Sequence, residues 1–199
     1  MVSRNLRRAP AQTRPSWFFI FALLVAAGTS GCGAASVSPI VTDADTLDEP
    51  ALAGSWAGSK DTAVITATGV GRFDIVHTDD HGRLGHYTAR YGRLGSFRVL
   101  DVQPVDPSPS SNDVFKSLIA RAHGVVVIES LGDSIKFRII EPDTLKSYLA
   151  KRPREVPHVL TEGTLLLTGS SAESRKFLAS FAQRPGALSE LNVWARKNP

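Results

Sequence analysis

The chain has 199 residues, 42% of them hydrophobic, and a formal charge of +4 from 23 Lys and Arg against 19 Asp and Glu. Its single cysteine leaves no partner for an intramolecular disulfide. Four of the positive charges, Arg4, Arg7, Arg8 and Arg14, lie in the first sixteen residues beside no acidic residue. Without them the balance is 19 against 19, which gives no support to a nucleic-acid-binding domain, whose footprint needs clustered positive charge.

The basic stretch is followed at once by Trp17 to Ala27, eleven uninterrupted apolar residues. A bilayer-spanning helix needs roughly 20, so this reads as the apolar part of a cleaved export signal. The run breaks into Gly28-Thr29-Ser30-Gly31-Cys32, small residues that can lie extended in a peptidase cleft. The arrangement resembles the signal of bacterial lipoproteins. That resemblance implies a cut between Gly31 and Cys32 and acylation, palmitate included, of the cysteine that becomes the new N-terminus. Ser30 and Gly31 match the small positions of the signal, and Thr29 stands where an aliphatic residue is usual. An ordinary signal cut further on, for example after Ala35, is the alternative and gives Cys32 no such role. Arg7-Arg8 in LRRAPAQ lacks the residues that surround a twin-arginine export pair. The residue after the cysteine is Gly33, not the aspartate that resembles an inner-membrane retention signal, which implies the periplasmic side of the outer membrane in a bacterial envelope.

Residues 33–50, GAASVSPIVTDADTLDEP, are small and polar with little apolar periodicity. They are expected to form, with Cys32, a flexible tether with a reach on the order of 25 Å. The remaining residues, 51–199, are the right length for one domain.

That domain opens on a run of short β signals. AVITAT (63–68) and RFDIVH (72–77) flank Gly69-Val70-Gly71, and HYTARY (86–91) and SFRVLDV (96–102) flank Gly92-Arg93-Leu94-Gly95, predicting two hairpins. GRLG occurs at 82–85 and again at 92–95, a strand-plus-turn period in which glycine serves turns. DVQPVDPSPSSND (101–113) reads as an exposed Pro/Ser loop. VFKSLIARA (114–122), VVVIES (125–130), IKFRII (135–140) and TLLLT (164–168) continue the sheet. Two segments change to a helical period. PDTLKSYLAKR (142–152) has proline in its first turn and places Leu145, Tyr148 and Leu149 on one side. SAESRKFLASFAQR (171–184) has Ser170 three before Glu173, a capping-box spacing, and gathers Phe177, Leu178 and Phe181. The fold class is therefore mainly β (α+β), an antiparallel sheet or small barrel with about two amphipathic helices in the C-terminal half. Residues 191–199 fit no period.

LAGSW (52–56) places a Gly-x-Trp on the first strand of the domain, which resembles lipocalins and related small barrels. The resemblance implies that Gly54 lets the backbone bend, that Trp56 plugs the barrel base, and that Arg196 stacks on the indole. The alternative is that Trp56 is simply a core aromatic.

HTDDHGRLGH (77–86) gathers His77, Asp79, Asp80, His81 and His86, residue types that bind transition metals. Asp-Asp-His-Gly also reads as a hairpin turn with His77 and His86 as cross-strand neighbours, and that reading assigns no metal. There is no Gly-x-Ser-x-Gly elbow, Walker loop or dinucleotide fingerprint. The functional expectation is a non-catalytic, lipid-anchored envelope protein, without a cofactor, that binds a small apolar ligand or an envelope protein partner. The alternative is an envelope hydrolase or metal-dependent enzyme using the His77–His86 region.

Overall fold

The computed structural model describes residues 34–105, 122–161 and 164–197. Among these residues, eight antiparallel strands close into a barrel: β2 (Gly54–Ala57), β3 (Thr62–Gly69), β4 (Arg72–Thr78), β5 (Leu84–Leu94), β6 (Phe97–Pro104), β7 (His123–Leu131), β8 (Ser134–Ile139) and β11 (Asn192–Arg196). Neighbours pair in the order β6-β5-β4-β3-β2-β11-β8-β7, and a β6–β7 ladder joins the two ends. Three further strands, β1 (Ala35–Ser36), β9 (His158–Thr161) and β10 (Thr164–Leu167), extend from the start of β7. The two helices are α1 (Pro142–Lys151) and α2 (Ser171–Phe181).

Alternation of side chains along each strand separates two cores. In β4, Phe73 and Ile75 are buried while Arg72 and Asp74 are exposed, the period-two pattern of a strand with one apolar face. The inner set fills the barrel lumen: Leu52, Trp56, Ile65, Phe73, Tyr91, Leu100 and Ile135 are all at most 5% exposed. The second core lies outside the barrel. There Leu94, Val99, Val125 and Val127 of β5, β6 and β7 meet Leu145 and Leu149 of α1 and Phe177, Leu178 and Phe181 of α2. Both helices thus present the apolar faces legible in their sequences, and they cover the barrel wall.

The capping box of α2 is complete. Glu173 N–H donates to Ser170 Oγ at 3.3 Å, while Ser170 N–H donates to Glu173 Oε2 at 2.9 Å. These Ser170 bonds hold the Glu173 carboxyl below its ordinary value. Ser170→Ala removes one half of the pair and is expected to cost about 1 kcal/mol, read as a lower midpoint in urea unfolding with an unchanged slope.

Several expectations change. Residues 34–50 are not a flexible tether: Ala34 and Ser36 are nearly buried, Ile40 and Val41 are fully so, and Leu47 N–H donates to Tyr91 carbonyl at 2.9 Å. The segment escapes periodicity because it is held by single bonds to the barrel wall and not by a repeating ladder. Gly92 and Leu94 belong to β5, so the second hairpin turns more tightly than expected, around Gly95. Gly92 is required for a different reason: a Cβ there would sit 2.5 Å from Val41 Cγ1 and 2.6 Å from Asp45 carbonyl oxygen, where the N-terminal segment crosses the strand. Residues 192–196 form the strand that closes the barrel, and β9 is a strand the sequence pattern did not signal. The strand expected over 114–122 and most of the loop expected over 101–113 lie outside the described residues; Asp101–Pro104 are in β6.

Candidate binding site on the outer barrel wall

Three places on the barrel carry polar chemistry. At the end bearing the β3–β4 and β5–β6 turns, Gly54, Trp56 and Arg196 come together. The Arg196 guanidinium lies 4.2 Å from the centre of the Trp56 ring and donates to the carbonyls of Ala53 at 3.0 Å and Ala51 at 2.6 Å. Trp56 Nε1–H donates to Leu52 carbonyl at 3.0 Å, inside a fully buried site. Gly54 has φ +145°, and a Cβ on it would stand 2.5 Å from Arg196 Nη1. Arg196 thus ties the Trp56 ring to the carbonyls of the segment that leads into β2.

The opposite end holds His77. Its Nε2 is 3.2 Å from Asp61 Oδ2, the same carboxylate that accepts Trp194 Nε1–H at 3.1 and 3.2 Å, and its ring stacks on Trp194 at 5.9 Å. His77 pairs with Gly85, whereas His86 pairs with Val76 and faces outward. The two histidines are thus offset by one residue and point to opposite faces, which corrects the cross-strand expectation. Asp79 accepts the backbone N–H groups of His81 and Arg83, and Arg83 Nε–H as well. These bonds, Arg83 N–H foremost, lower its pKa to about 2. The 77–86 stretch is a hairpin turn whose polar groups serve the turn. Among the described residues, no three His, Cys, Asp or Glu side chains converge to hold a metal.

The third place carries no sequence motif. On the outer wall of β3 to β7, beside Pro39, lies a cavity of about 430 Å³, open to solvent on one side. Strand register arranges its side chains in two rows. Arg72, Arg90 and Asp101 are cross-strand neighbours in one row, and Asp74, Thr88 and Gln103 in the other. With strands about 4.8 Å apart, each row presents closely spaced polar groups. Asp101 is 3% exposed, and its charge is satisfied on both oxygens. Oδ2 accepts the backbone N–H groups of Ile40 at 2.8 Å and Val41 at 2.9 Å, and Oδ1 lies 2.8 Å from His123 Nδ1. His123 Nε2 on the other side of the ring lies 3.3 Å from the Gln103 amide nitrogen.

The cationic row is shared with one carboxylate. Arg72 Nη2 lies 2.7 Å and Arg90 Nη1 3.2 Å from the same oxygen of Asp43, which is 73% exposed. Arg175, from α2, holds the same N-terminal segment through Ile40 carbonyl at 3.0 Å and through Asp45. Hydrogen bonding from the Thr42 hydroxyl, with Arg175 adding to it, lowers the Asp45 pKa.

Comparison with protein-family models, curated proteins and solved structures finds no match to this chain. The reading of the site therefore rests on its geometry. Asp101 and His123 carry no sequence signal, because one aspartate within an apolar strand and one histidine beginning another are brought together only by the β6–β7 ladder. Cys32 and Gly31 lie outside the described residues. Among those described, no helix is long and apolar enough to cross a membrane.

Proposed function

We propose that this is a non-catalytic, lipid-anchored protein of the bacterial cell envelope, a recognition module whose barrel is a rigid scaffold and whose contact surface is the outer wall. The anchor reading rests on the basic flank, the short apolar run and the Gly31-Cys32 junction, and it favours the periplasmic side of the outer membrane. Two or more acyl chains give a stable anchor where one binds only marginally.

The observation that carries the recognition reading is the contrast between the two sides of the barrel wall. The lumen is occupied by Trp56, Phe73, Tyr91, Leu100 and Ile135, whereas the open cavity of about 430 Å³ lies outside and is polar. A small apolar ligand held in the lumen is correspondingly disfavoured, and a polar ligand or the polar side chains of an envelope partner are favoured. The enzyme alternative loses its constellation, since His77 and His86 face opposite sides of the wall.

The test of the anchor is a native mass spectrum of the full-length protein, expressed in a bacterium and extracted in mild detergent. The expected mass lacks residues 1–31 and carries acyl groups, and Cys32→Ser is expected to abolish the acyl mass and release the protein from the membrane fraction. An unacylated chain cut beyond Cys32 would sink the anchor.

A further inference from the structure

We propose that the outer-wall cavity binds a small polyhydroxylated anion, the chemistry of a sugar acid or a sugar phosphate. This assignment deepens the recognition reading above and rests on it, but not on the anchor.

The argument begins with what the cavity walls can do. About 430 Å³ falls within the ordinary range of small-ligand sites. Its floor is strand backbone at Phe73 and Ala89, whose side chains belong to the lumen. The residues of the walls above that floor are polar or charged apart from Pro39.

One row then supplies the anion contact. Arg72 and Arg90 converge on a single Asp43 oxygen, so two guanidinium charges face one exposed carboxylate. Each guanidinium carries five N–H donors, more than the Asp43 contact uses, and both arginines line the cavity. Arginine pairs favour carboxylate and phosphate oxygens through short, charge-assisted bonds.

The second row supplies a different kind of contact. Asp74 makes no ion pair among the described residues and lies beside Thr88 on the outward face, with Gln103 and His123 following across the sheet. A carboxylate in this row opposes a second negative charge on the ligand, but it is a strong acceptor for hydroxyl hydrogens. The Thr88 hydroxyl can serve either as donor or as acceptor. A ligand matching both rows has one anionic end and several neutral hydroxyl groups. A bare anion satisfies only the first row, and a neutral sugar only the second.

The site is also held ready. Asp101 is fixed by two backbone N–H groups and in turn fixes the His123 ring, so little side-chain freedom is lost at that edge when a ligand enters.

The test uses full-length protein in mild detergent, titrated calorimetrically with glucuronate, glucose 6-phosphate, glucose and inorganic phosphate. Saturable binding of glucuronate or glucose 6-phosphate is expected, with glucose and inorganic phosphate each about tenfold weaker or more. Arg72→Met and Arg90→Met are each expected to weaken the acidic sugars by about tenfold. Asp43→Asn, which frees both guanidiniums at an exposed position, is expected to tighten them, a gain that misfolding cannot imitate. Arg138→Met, outside the cavity, should leave them unchanged. No saturable binding of either acidic sugar would overturn the proposal. So would inorganic phosphate binding as tightly as glucose 6-phosphate, or affinities indifferent to both the Arg72 and Asp43 substitutions. An unacylated mass with intact sugar binding would sink the anchor alone.

Discussion

Trp56→Ala is expected to destabilise the domain by about 3–5 kcal/mol and lower its melting temperature by on the order of 10 °C. The indole is fully buried and is the largest side chain to be so among the described residues, and its removal leaves a void in the lumen that the surrounding strands can only partly collapse. Two further losses add to the cavity. Leu52 carbonyl loses the Nε1–H donor at 3.0 Å, and the Arg196 guanidinium loses the ring 4.2 Å beneath it. Trp56→Phe separates these contributions, because it retains most of the volume but not the hydrogen bond and is expected to cost well under half as much. Calorimetric melting of the two variants checks the pair. Equal losses would mean that the hydrogen bond, and not the filled lumen, dominates.

The second large effect is at Asp101. Asp101→Ala is expected to cost about 2–5 kcal/mol, because it strands the buried N–H groups of Ile40 and Val41 and removes the partner of His123 Nδ1. The damage should be local as well as global. With the carboxylate gone, segment 34–50 keeps Arg175 and its few backbone contacts but loses the two bonds at its most buried point. Hydrogen exchange is the measurement: the amides of Ile40 and Val41 are expected to lose protection more than those of β3 and β4. Uniform loss throughout the barrel would show that Asp101 acts through the sheet and not through the N-terminal segment.

How much of the fold is legible in the sequence depends on whether a contact repeats. Phe73 and Ile75 alternate with Asp74, and Leu145 and Leu149 recur at helical spacing, so the residues alone reveal these elements and their buried faces. The capping box of α2 is equally plain, since Ser170 and Glu173 interact over three residues. The N-terminal segment looks like a tether because Ile40 and Val41 are held by a partner 60 residues away, a contact with no local period. The outer-wall cavity is hidden for the same reason: its rows run across the sheet, and only register places Arg72 beside Arg90 and Asp74 beside Thr88. The 77–86 stretch is the reverse case. Five His and Asp residues in ten positions suggest a site, yet a one-residue offset in pairing sends its two flanking histidines to opposite faces.

The seam of the barrel sets an order on its formation. β2 and β11 meet through Ala57–Ala195 and Trp56–Arg196, near the two ends of the domain. Hairpins such as β3–β4 can form as soon as their own residues are available, but this ring cannot shut until β11 is present. Until then β2 and β8 have open edges, and the Trp56 side of the lumen lacks its arginine cover. A nascent or truncated chain ending before Asn192 is therefore an open, edge-exposing sheet, and closing it requires the long-range pairing of β2 with β11.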